Sequence, residues 1–535
     1  MKISSLEADL RSRAKAAFAV DDAAAASFAL AAPPPHIKAD ASIAWPIAAA
    51  KLLKKPPLKI AEELKAALAG SVEAETVPPG FVNVRFTNAF LFAALKALEK
   101  PGSLHRQEFS GEKINLEFVS ANPTGPMHLA SGRGATLGDS LARVWKELGA
   151  EVATEFYVNN VGRQVEKLGL SLKARFEGNE PPADGYQGDY LKDMAAALPK
   201  EAAGWTDAQF SEYAVTEMLK LHKADMQAFG VHFDRWFLES ELHAAGGPAK
   251  ALATLKEKGM AYEKEGAVWF GAASELESDD KDRVLVKADG RNTYFLNDIA
   301  YHLNKFSRGF RRLIDIWGAD HHGYVPRMEA AVKALGSELG SFKVIIHQQV
   351  SLLRGKEVVK MSKRAGDFIS LKELIEDVGT DACRFFFASR GPNTHLNFDV
   401  ELAKKKSNEN PVYYVQYVHA RICSIFDNAA AKGVDPAASF DEAKAAVNPE
   451  ERALMLKLLW MEKTLADCAR DNSPHHLTTY LMELAALFHS FYDQHKVLDP
   501  ENRETTAYRL FLLRAVKAMI ARGLGLLGVS APERM

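Results

Sequence analysis

Two segments of this 535-residue chain carry residue types that could handle a polyanion. The first reads Glu117-Phe-Val-Ser-Ala-Asn-Pro-Thr-Gly-Pro-Met-His128-Leu-Ala-Ser-Gly-Arg-Gly-Ala, a strand running into a Gly/Pro turn and then a helix opened by His128. Backbone amides at a helix N-terminus attract phosphate. Gly125 allows a sharp bend, and His128 can donate to an oxygen that gains charge during phosphoryl chemistry. A plain strand–helix connection with a surface histidine would look the same. The second segment is Arg354-Gly355-Lys-Glu-Val-Val-Lys360-Met-Ser-Lys363-Arg364. Gly355 marks a hairpin turn whose return strand ends in a basic loop with a hydroxyl. Five cations in eleven residues, opposed only by Glu357, repel one another unless water or an anion compensates them.

Loops of this kind need a rigid scaffold, and the pattern of apolar residues supplies one. Ile114–Val119 predicts a buried strand, Gly132–Leu148 an amphipathic helix and Glu151–Val158 a second strand, a β-loop-α-β unit of the parallel-sheet type. Further strands are predicted at Leu313–Trp317 and Val344–Ile346. Residues 111–400 therefore read as an α/β nucleotide-binding core with an insertion near 175–290. Residues 1–110 read as a small α+β domain with a basic patch (Lys51, Lys54, Lys55, Lys59) and a strand around Phe81–Phe86. Strand signals stop near residue 405. Leu454, Leu458, Met461 and Leu465 share a helical face, as do Leu512, Val516, Met519 and Ile520. Ser473-Pro474 predicts an N-cap followed by proline at the first helical position. The fold class is α/β: a Rossmann-type parallel-sheet core, an N-terminal α+β domain and a C-terminal all-α bundle over 401–535.

Composition narrows the function classes. A hydrophobic fraction of 47% with 25% charged residues is that of an ordinary globular chain, which excludes a disordered scaffold. The formal charge of -2 shows no global excess of cations, so any polyanion must be held by local basic patches. Cys383, Cys423 and Cys468 are scattered, so no cysteine-cluster zinc site or disulfide framework is expected. No uncharged run reaches the roughly 20 residues needed to cross a bilayer. A cytoplasmic protein with no membrane partner and no structural zinc is expected.

Taken together, the two segments resemble the signatures of class I aminoacyl-tRNA synthetases, H-x-G-H and K-M-S-K-S. Lys360–Arg364 reads K-M-S-K-R, and both segments stand in the required order. Within that class the chain resembles the arginyl-tRNA synthetase family over nearly its whole length. The distinguishing stretches are Ser120-Ala-Asn-Pro-Thr-Gly, Tyr157-Val-Asn-Asn-Val-Gly-Arg-Gln164, Thr293-Tyr-Phe-Leu-Asn-Asp-Ile-Ala-Tyr-His302, Gly318-Ala-Asp-His-His-Gly323 and Asn410-Pro-Val-Tyr-Tyr-Val-Gln-Tyr-Val-His-Ala-Arg421.

The resemblance implies an arginine–tRNA ligase that uses ATP, with Mg2+ carried on the nucleotide, to form arginyl-adenylate and pass arginine to tRNA(Arg). Activation is expected to need bound tRNA. It implies catalytic roles for His128, Ser131, Lys360 and Lys363, and ATP contacts from Gly125, Pro126, Ala130, Gly132, Gly318, Asp320 and Ser362. Glu117, Asn122, Tyr294 and Asp298 are implied to bind arginine, with Asp298 meeting the guanidinium. A guanidinium is a permanently charged, planar fork of donors, so its pocket needs carboxylates. Tyr294 and Asp298 lie four apart and share a helical face. The bundle is implied to bind the anticodon, with Tyr413, Tyr417, His419 and Arg421 toward tRNA, and residues 1–110 to meet the tRNA elbow. A monomer with no DNA partner is expected.

The first signature departs from the family pattern: His128-Leu129-Ala130-Ser131 stands where the family reads H-x-G-H. Ser131 is a shorter, neutral donor in place of the second His, and Ala130 adds a methyl where the adenine ring would lie. Arg133, Lys360 and Lys363 are the expected compensating groups. Asn160 stands where the family commonly has Asp. The departure leaves a second reading, a catalytically weak paralogue that binds tRNA or arginine in a regulatory role. A cysteine-specific synthetase is disfavoured by the absence of a cysteine cluster, and a generic nucleotidyltransferase would not need the helical third.

Overall fold

The computed structural model describes residues 2–34, 36–98, 100, 102–271, 282–336, 340–355, 357–358 and 369–535. Lys360, Ser362 and Lys363 lie outside these residues. Five strands form the central sheet: β1 (Lys113–Glu117), β2 (Glu151–Val158), β3 (Arg235–Leu238), β4 (Arg312–Gly318) and β5 (Phe342–His347). All neighbours run parallel, in the order β5-β4-β1-β2-β3. Such strands are covered on both faces, which is why β1 and β4 read as apolar runs. The order reverses between β1 and β4, and in an open α/β sheet ligands bind at that switch point, beyond the C-terminal ends of the strands.

The Rossmann-type reading is borne out. Strand β2 has the bounds predicted, and the helix after β1 spans Leu129–Glu147. That helix is buried on almost every side, between the sheet and the Thr380–Ala388 helix, and its buried residues include the polar Arg133, Thr136 and Asp139. Close packing explains two of its glycines. A Cβ at Gly138 would stand 2.1 Å from the Phe118 ring, and one at Gly132 would stand 2.6 Å from Leu371. The stretch read as an insertion over 175–290 is interrupted, because Arg235–Leu238 returns to the central sheet as its edge strand β3. Before it, the helices Arg163–Phe176, Tyr190–Ala196 and Asp207–Ala228 close on a separate apolar cluster. After it, three short antiparallel strands lead to the helix Tyr294–Ser307, which packs over β4.

The N-terminal region carries a three-stranded antiparallel sheet backed by helices, with Phe81–Arg85 as its middle strand. From Pro411 onward every described element is a helix. Leu454, Leu458, Met461 and Leu465 are all fully buried, but on two consecutive helices, Pro449–Leu459 and Met461–Asp471. The predicted cap at Ser473 shifts by one residue: Pro474 takes the N-cap position, and the Ser473 hydroxyl pairs with His475 Nδ1 at 2.7 Å. Arg384, fully buried, ties these regions together. It donates to the Leu527 and Phe229 carbonyls and pairs with Asp139 on the Leu129–Glu147 helix. Among the described residues no helix is long and apolar enough to cross a membrane.

Candidate active site

The chain leaves β1 through a bend in which Val119 (φ 70°) and Ser120 (φ 40°) are left-handed. For a β-branched residue this is a costly conformation, of the kind that persists where surrounding contacts impose it. Here the Ser120 hydroxyl donates to Glu117 Oε1 at 2.8 Å and accepts from the Tyr157 amide at 3.1 Å. The bend thus fixes Glu117 at the switch point. Gly125, read as the bend, lies outside the left-handed region. Its carbonyl instead meets His222 Nε2 at 2.8 Å, and the next carbonyl upstream, on Thr124, accepts from Tyr190 at 2.6 Å. Helices inserted before β3 therefore hold the Gly/Pro loop.

His128 is the N-cap of the helix that follows, and its side chain does not cap. The first-turn amides are left without a side-chain acceptor, which is the arrangement that attracts an anion. Main-chain atoms of His128 form a bridge with Ser370, and the Leu371 amide donates to the Met127 carbonyl at 2.9 Å. The hairpin predicted at Gly355 is present, with φ 63° at the glycine. Ser370 thus stands beside His128 in the chain that follows the hairpin. Pro126, Ala130 and Gly132 lie on the same loop and first turn, with Ser131 buried. Gly318 ends β4, and Asp320 beyond it is exposed. Asn122 is exposed on the loop.

Arg133 does not compensate for Ser131. It is fully buried and donates to the carbonyls of Gln348, Gly391 and Thr394 at 2.8, 3.0 and 2.7 Å. A buried guanidinium whose two terminal nitrogens are held by carbonyls is a structural staple.

Side by side in the sheet register, Glu117 at the end of β1, Glu155 within β2 and Asp315 within β4 form a row of carboxylates. Lys305, fully buried, bridges Glu117 at 2.5 Å and Asp315 at 2.8 Å. His302 Nε2 meets the other Asp315 oxygen at 2.9 Å. Although burial opposes ionisation, Lys305 and His302 hold the Asp315 carboxyl down at about 2. Glu155 is clamped by both terminal nitrogens of Arg308, at 2.6 and 2.8 Å, and by Tyr301. Among the described residues two further acids have no lysine or arginine partner, although Glu239 also meets His243 Nε2 at 3.4 Å. Buried Glu239, just past β3, accepts from Asn297 at 3.0 Å, and from Asn159 at 2.9 Å with the Asn159 amide turned to match its neighbours. Asp298 accepts from Tyr324 at 2.6 Å. Burial pushes its carboxyl up to about 6, with Glu117 and Glu239 adding to the shift against Tyr324 and His302.

Lys305 and Arg308 therefore account for Glu117, Asp315 and Glu155, while Glu239 and Asp298 are met mainly by neutral donors. Tyr157 lines the same space, its phenol kept neutral by burial and by the Glu239 and Asp298 charges. A slot with surplus carboxylate and few cations favours a cationic guest with several donors. Tyr294, one turn before Asp298 on its helix, is 64% exposed and sits at the rim. Asn160 is tied to Ser240, donating at 2.9 Å and accepting at 3.0 Å. Glu239, Tyr157, Tyr324 and Lys305 were not singled out from the sequence. Their one signal is position, just past a strand end or one to two turns from Asp298. Among the described residues, no group of three or more His, Cys, Asp or Glu could hold a metal ion.

Comparison with known proteins then decides the kinship. Residues 95–390 match the family described as tRNA synthetases class I (R), catalytic domain, residues 4–86 the arginyl tRNA synthetase N terminal domain, and residues 415–535 the DALR anticodon binding domain. The chain belongs to the arginyl-tRNA synthetase family. It is 55% identical to the arginine–tRNA ligase of Elusimicrobium minutum over 508 residues, covering 94% of each chain. It is 44% identical to that of Thermotoga maritima, covering 91% of this chain and 92% of the relative. The arginyl-tRNA synthetase of Thermus thermophilus shares the fold, with a TM-score of 0.81 at 24% identity and 100% coverage of both chains.

On the helical bundle of this family member, Tyr413 stacks on Tyr417 (6.4 Å, 20°) and Tyr417 on His489 (5.9 Å, 16°), all on or facing the Pro411–Ala431 helix. The Arg421 guanidinium lies 4.8 Å from the Tyr492 ring centre. His419 is a correction. It is buried, and its Nδ1 meets the Pro532 carbonyl at 2.9 Å, so it packs the chain end against the helix and offers no face to a base.

Proposed function

We propose that the chain acts as an arginine–tRNA ligase with the acidic slot at the switch point as its arginine pocket. One observation carries the assignment of the pocket: Asp298 and Glu239 lie close enough to act on each other and on Tyr157, without a lysine or arginine partner among the described residues. Arginine would bring the missing cation, its guanidinium spanning these acids, while Glu117 and Asn122 lie toward its ammonium and carboxylate ends. ATP would lie across the first turn opened by His128, with Mg2+ arriving on its phosphates as part of the substrate. Gly125, Pro126, Ala130, Gly132, Gly318, Asp320 and Ser362 would line its path.

In the first step an arginine carboxylate oxygen attacks the α-phosphorus, and the bond to pyrophosphate breaks. In the second, a hydroxyl of the terminal tRNA ribose attacks the adenylate carbonyl and AMP leaves. Neither step needs a covalent enzyme intermediate, so positioning and charge stabilisation supply the rate. His128, Ser131 and the lysines Lys360 and Lys363 would stabilise charge on the phosphates as pyrophosphate departs. Residues 401–535 would bind the anticodon, with Tyr413, Tyr417 and Arg421 on that surface, and residues 1–110 the tRNA elbow. A cytoplasmic monomer completes the proposal.

The test is arginine-dependent ATP–pyrophosphate exchange with and without tRNA(Arg), together with transfer of labelled arginine to tRNA. Exchange that appears only with tRNA, and charging of tRNA(Arg), are the expected results. tRNA binding with neither activity would establish the silent paralogue instead.

A further inference from the structure

The helix that should carry a second signature histidine offers only Ser131, and Arg133 is committed elsewhere. A different imidazole occupies the neighbourhood. His347 is the last residue of β5, and in the β4–β5 register it stands directly opposite Gly318, where β4 opens toward the nucleotide path. Its Nε2 lies 3.4 Å from the point where a Cβ on Gly134 would stand. Gly134 is three residues past Ser131, on the same face of the Leu129–Glu147 helix. The bare backbone there lets the ring lie against the helix just behind Ser131. The charges of His128, Arg133 and Asp320 all act on the ring, so it sits between the first signature and the loop after β4.

His347 is 92% buried (8% exposed), and among the described residues its Nδ1 has no hydrogen-bond partner. The Gln348 carbonyl beside it accepts from Arg133 Nη1 at 2.8 Å and also lies near enough to the ring to favour its protonated form, short of a well-formed bond to Nδ1. A buried ring nitrogen without a well-formed hydrogen bond is costly to keep and calls for a use. Burial, with the Arg133 charge next, lowers the ring to about 4, so it is neutral at working pH and offers one N–H and one acceptor.

We propose that His347 is the second imidazole of this active site, reaching the ATP from the end of β5 where the helix supplies only a serine. The inference rests on the ligase reading above. It deepens that reading by naming a nucleotide contact that neither signature contains. A neutral donor held by β5 is fixed before the nucleotide arrives, so it stabilises developing charge without reorganising.

The experiment uses the full chain in pyrophosphate exchange at saturating tRNA(Arg), with His347→Ala, His347→Gln, Ser131→His and the Ser131→His/His347→Ala double variant. His347→Ala should lower kcat by on the order of 10²-fold and raise the ATP KM. The arginine KM should stay within about twofold. The glutamine variant, which keeps a donor, should fall between. In the His347→Ala background Ser131→His should recover at least about tenfold, because one imidazole replaces the other, with the single Ser131→His variant measured as the reference for that rescue. Anticodon-dependent tRNA affinity reports folding, and if the alanine variant fails to fold the glutamine variant carries the test. If His347 serves packing alone, both KM values rise together and Ser131→His rescues nothing, which overturns the proposal. Exchange within about twofold of wild type in His347→Ala overturns it equally. A wild-type chain with no arginine-dependent exchange strikes the ligase reading itself, a result distinct from either.

Discussion

Tyr324 donates its phenolic proton to Asp298 across 2.6 Å, joining the loop after β4 to the helix that lines the slot. That bond favours the carboxylate, yet burial prevails and the carboxyl stands at about 6 in the free chain. A guanidinium binds only the ionised form, so the complex must titrate below the free protein. Arginine affinity is therefore constant well above pH 6 and falls as pH drops through 6, by up to about tenfold per unit. Arginine KM measured from pH 5 to 8.5 checks the direction. Asp298→Asn removes the charge and the titration together. It should raise arginine KM sharply, flatten the acid limb and leave ATP KM nearly unchanged.

Tyr324→Phe separates the hydrogen bond from the pocket wall. The ring stays, but the carboxylate loses the donor that lowers its pKa. A bond to a charged group is worth about 1.5–3 kcal/mol, or roughly one to two pH units. The midpoint for arginine KM should therefore move above 6, and at neutral pH the variant should already bind more weakly. An unmoved midpoint would mean that another donor holds Asp298.

What could be read from the sequence and what could not divides along chain distance. The strand at Glu151–Val158, the helix opened by His128 and the hairpin at Gly355 were legible because each is written in a local run of side chains. Glu239, Tyr324, Lys305 and His347 were not. Each is a single residue beyond a strand end or on a buried helix face, and its partners lie on other strands whose order no local pattern states. Arg133 and His419 were misread for a related reason. A cation or imidazole satisfied by backbone carbonyls looks in sequence like one facing solvent.

Lys305→Met tests the polar bridge beneath the slot. The side chain fits by length, but Glu117 and Asp315 lose their shared cation in a fully buried place. Removing one partner of a buried ion pair costs on the order of 3–5 kcal/mol. In the wild type the depressed Asp315 carboxyl contributes stability that is present above about pH 4 and lost as pH falls toward 2. In the variant both acids titrate higher, so the deficit should be largest at neutral pH and shrink on acidification. Thermal unfolding of both proteins from pH 4 to 8 measures this, and a deficit independent of pH would assign the loss to packing.

Lys363→Ala bears on the second signature, which precedes in sequence the Ser370 that bridges His128. If the lysine steadies departing pyrophosphate, kcat for exchange should fall by on the order of 10²–10³ while tRNA affinity stays close to wild type. Equal losses in the two assays would make the loop a tRNA contact instead.

The aromatic stack on the Pro411–Ala431 helix allows stacking and charge to be weighed separately. Tyr417 is sandwiched between Tyr413 and His489, leaving the stack half-buried at the bundle surface. An unpaired base stacked on the outer ring, Tyr413, is worth about 1–3 kcal/mol, and Tyr417 backs that ring, so Tyr417→Ala should weaken tRNA binding by up to roughly tenfold to a hundredfold. Stacking releases no counterions. The slope of log affinity against log salt should therefore match the wild type, and that slope should be steep if local basic patches meet phosphates despite the net charge of -2. Alanine in place of Lys54 and Lys55 should do the reverse, flattening the slope with a smaller loss at high salt. Exchange by Tyr417→Ala at saturating tRNA should return to the wild-type rate, since the chemistry lies beyond the ends of β1 and β4. A lower slope for Tyr417→Ala would show that the stack positions a phosphate contact and does not itself receive a base.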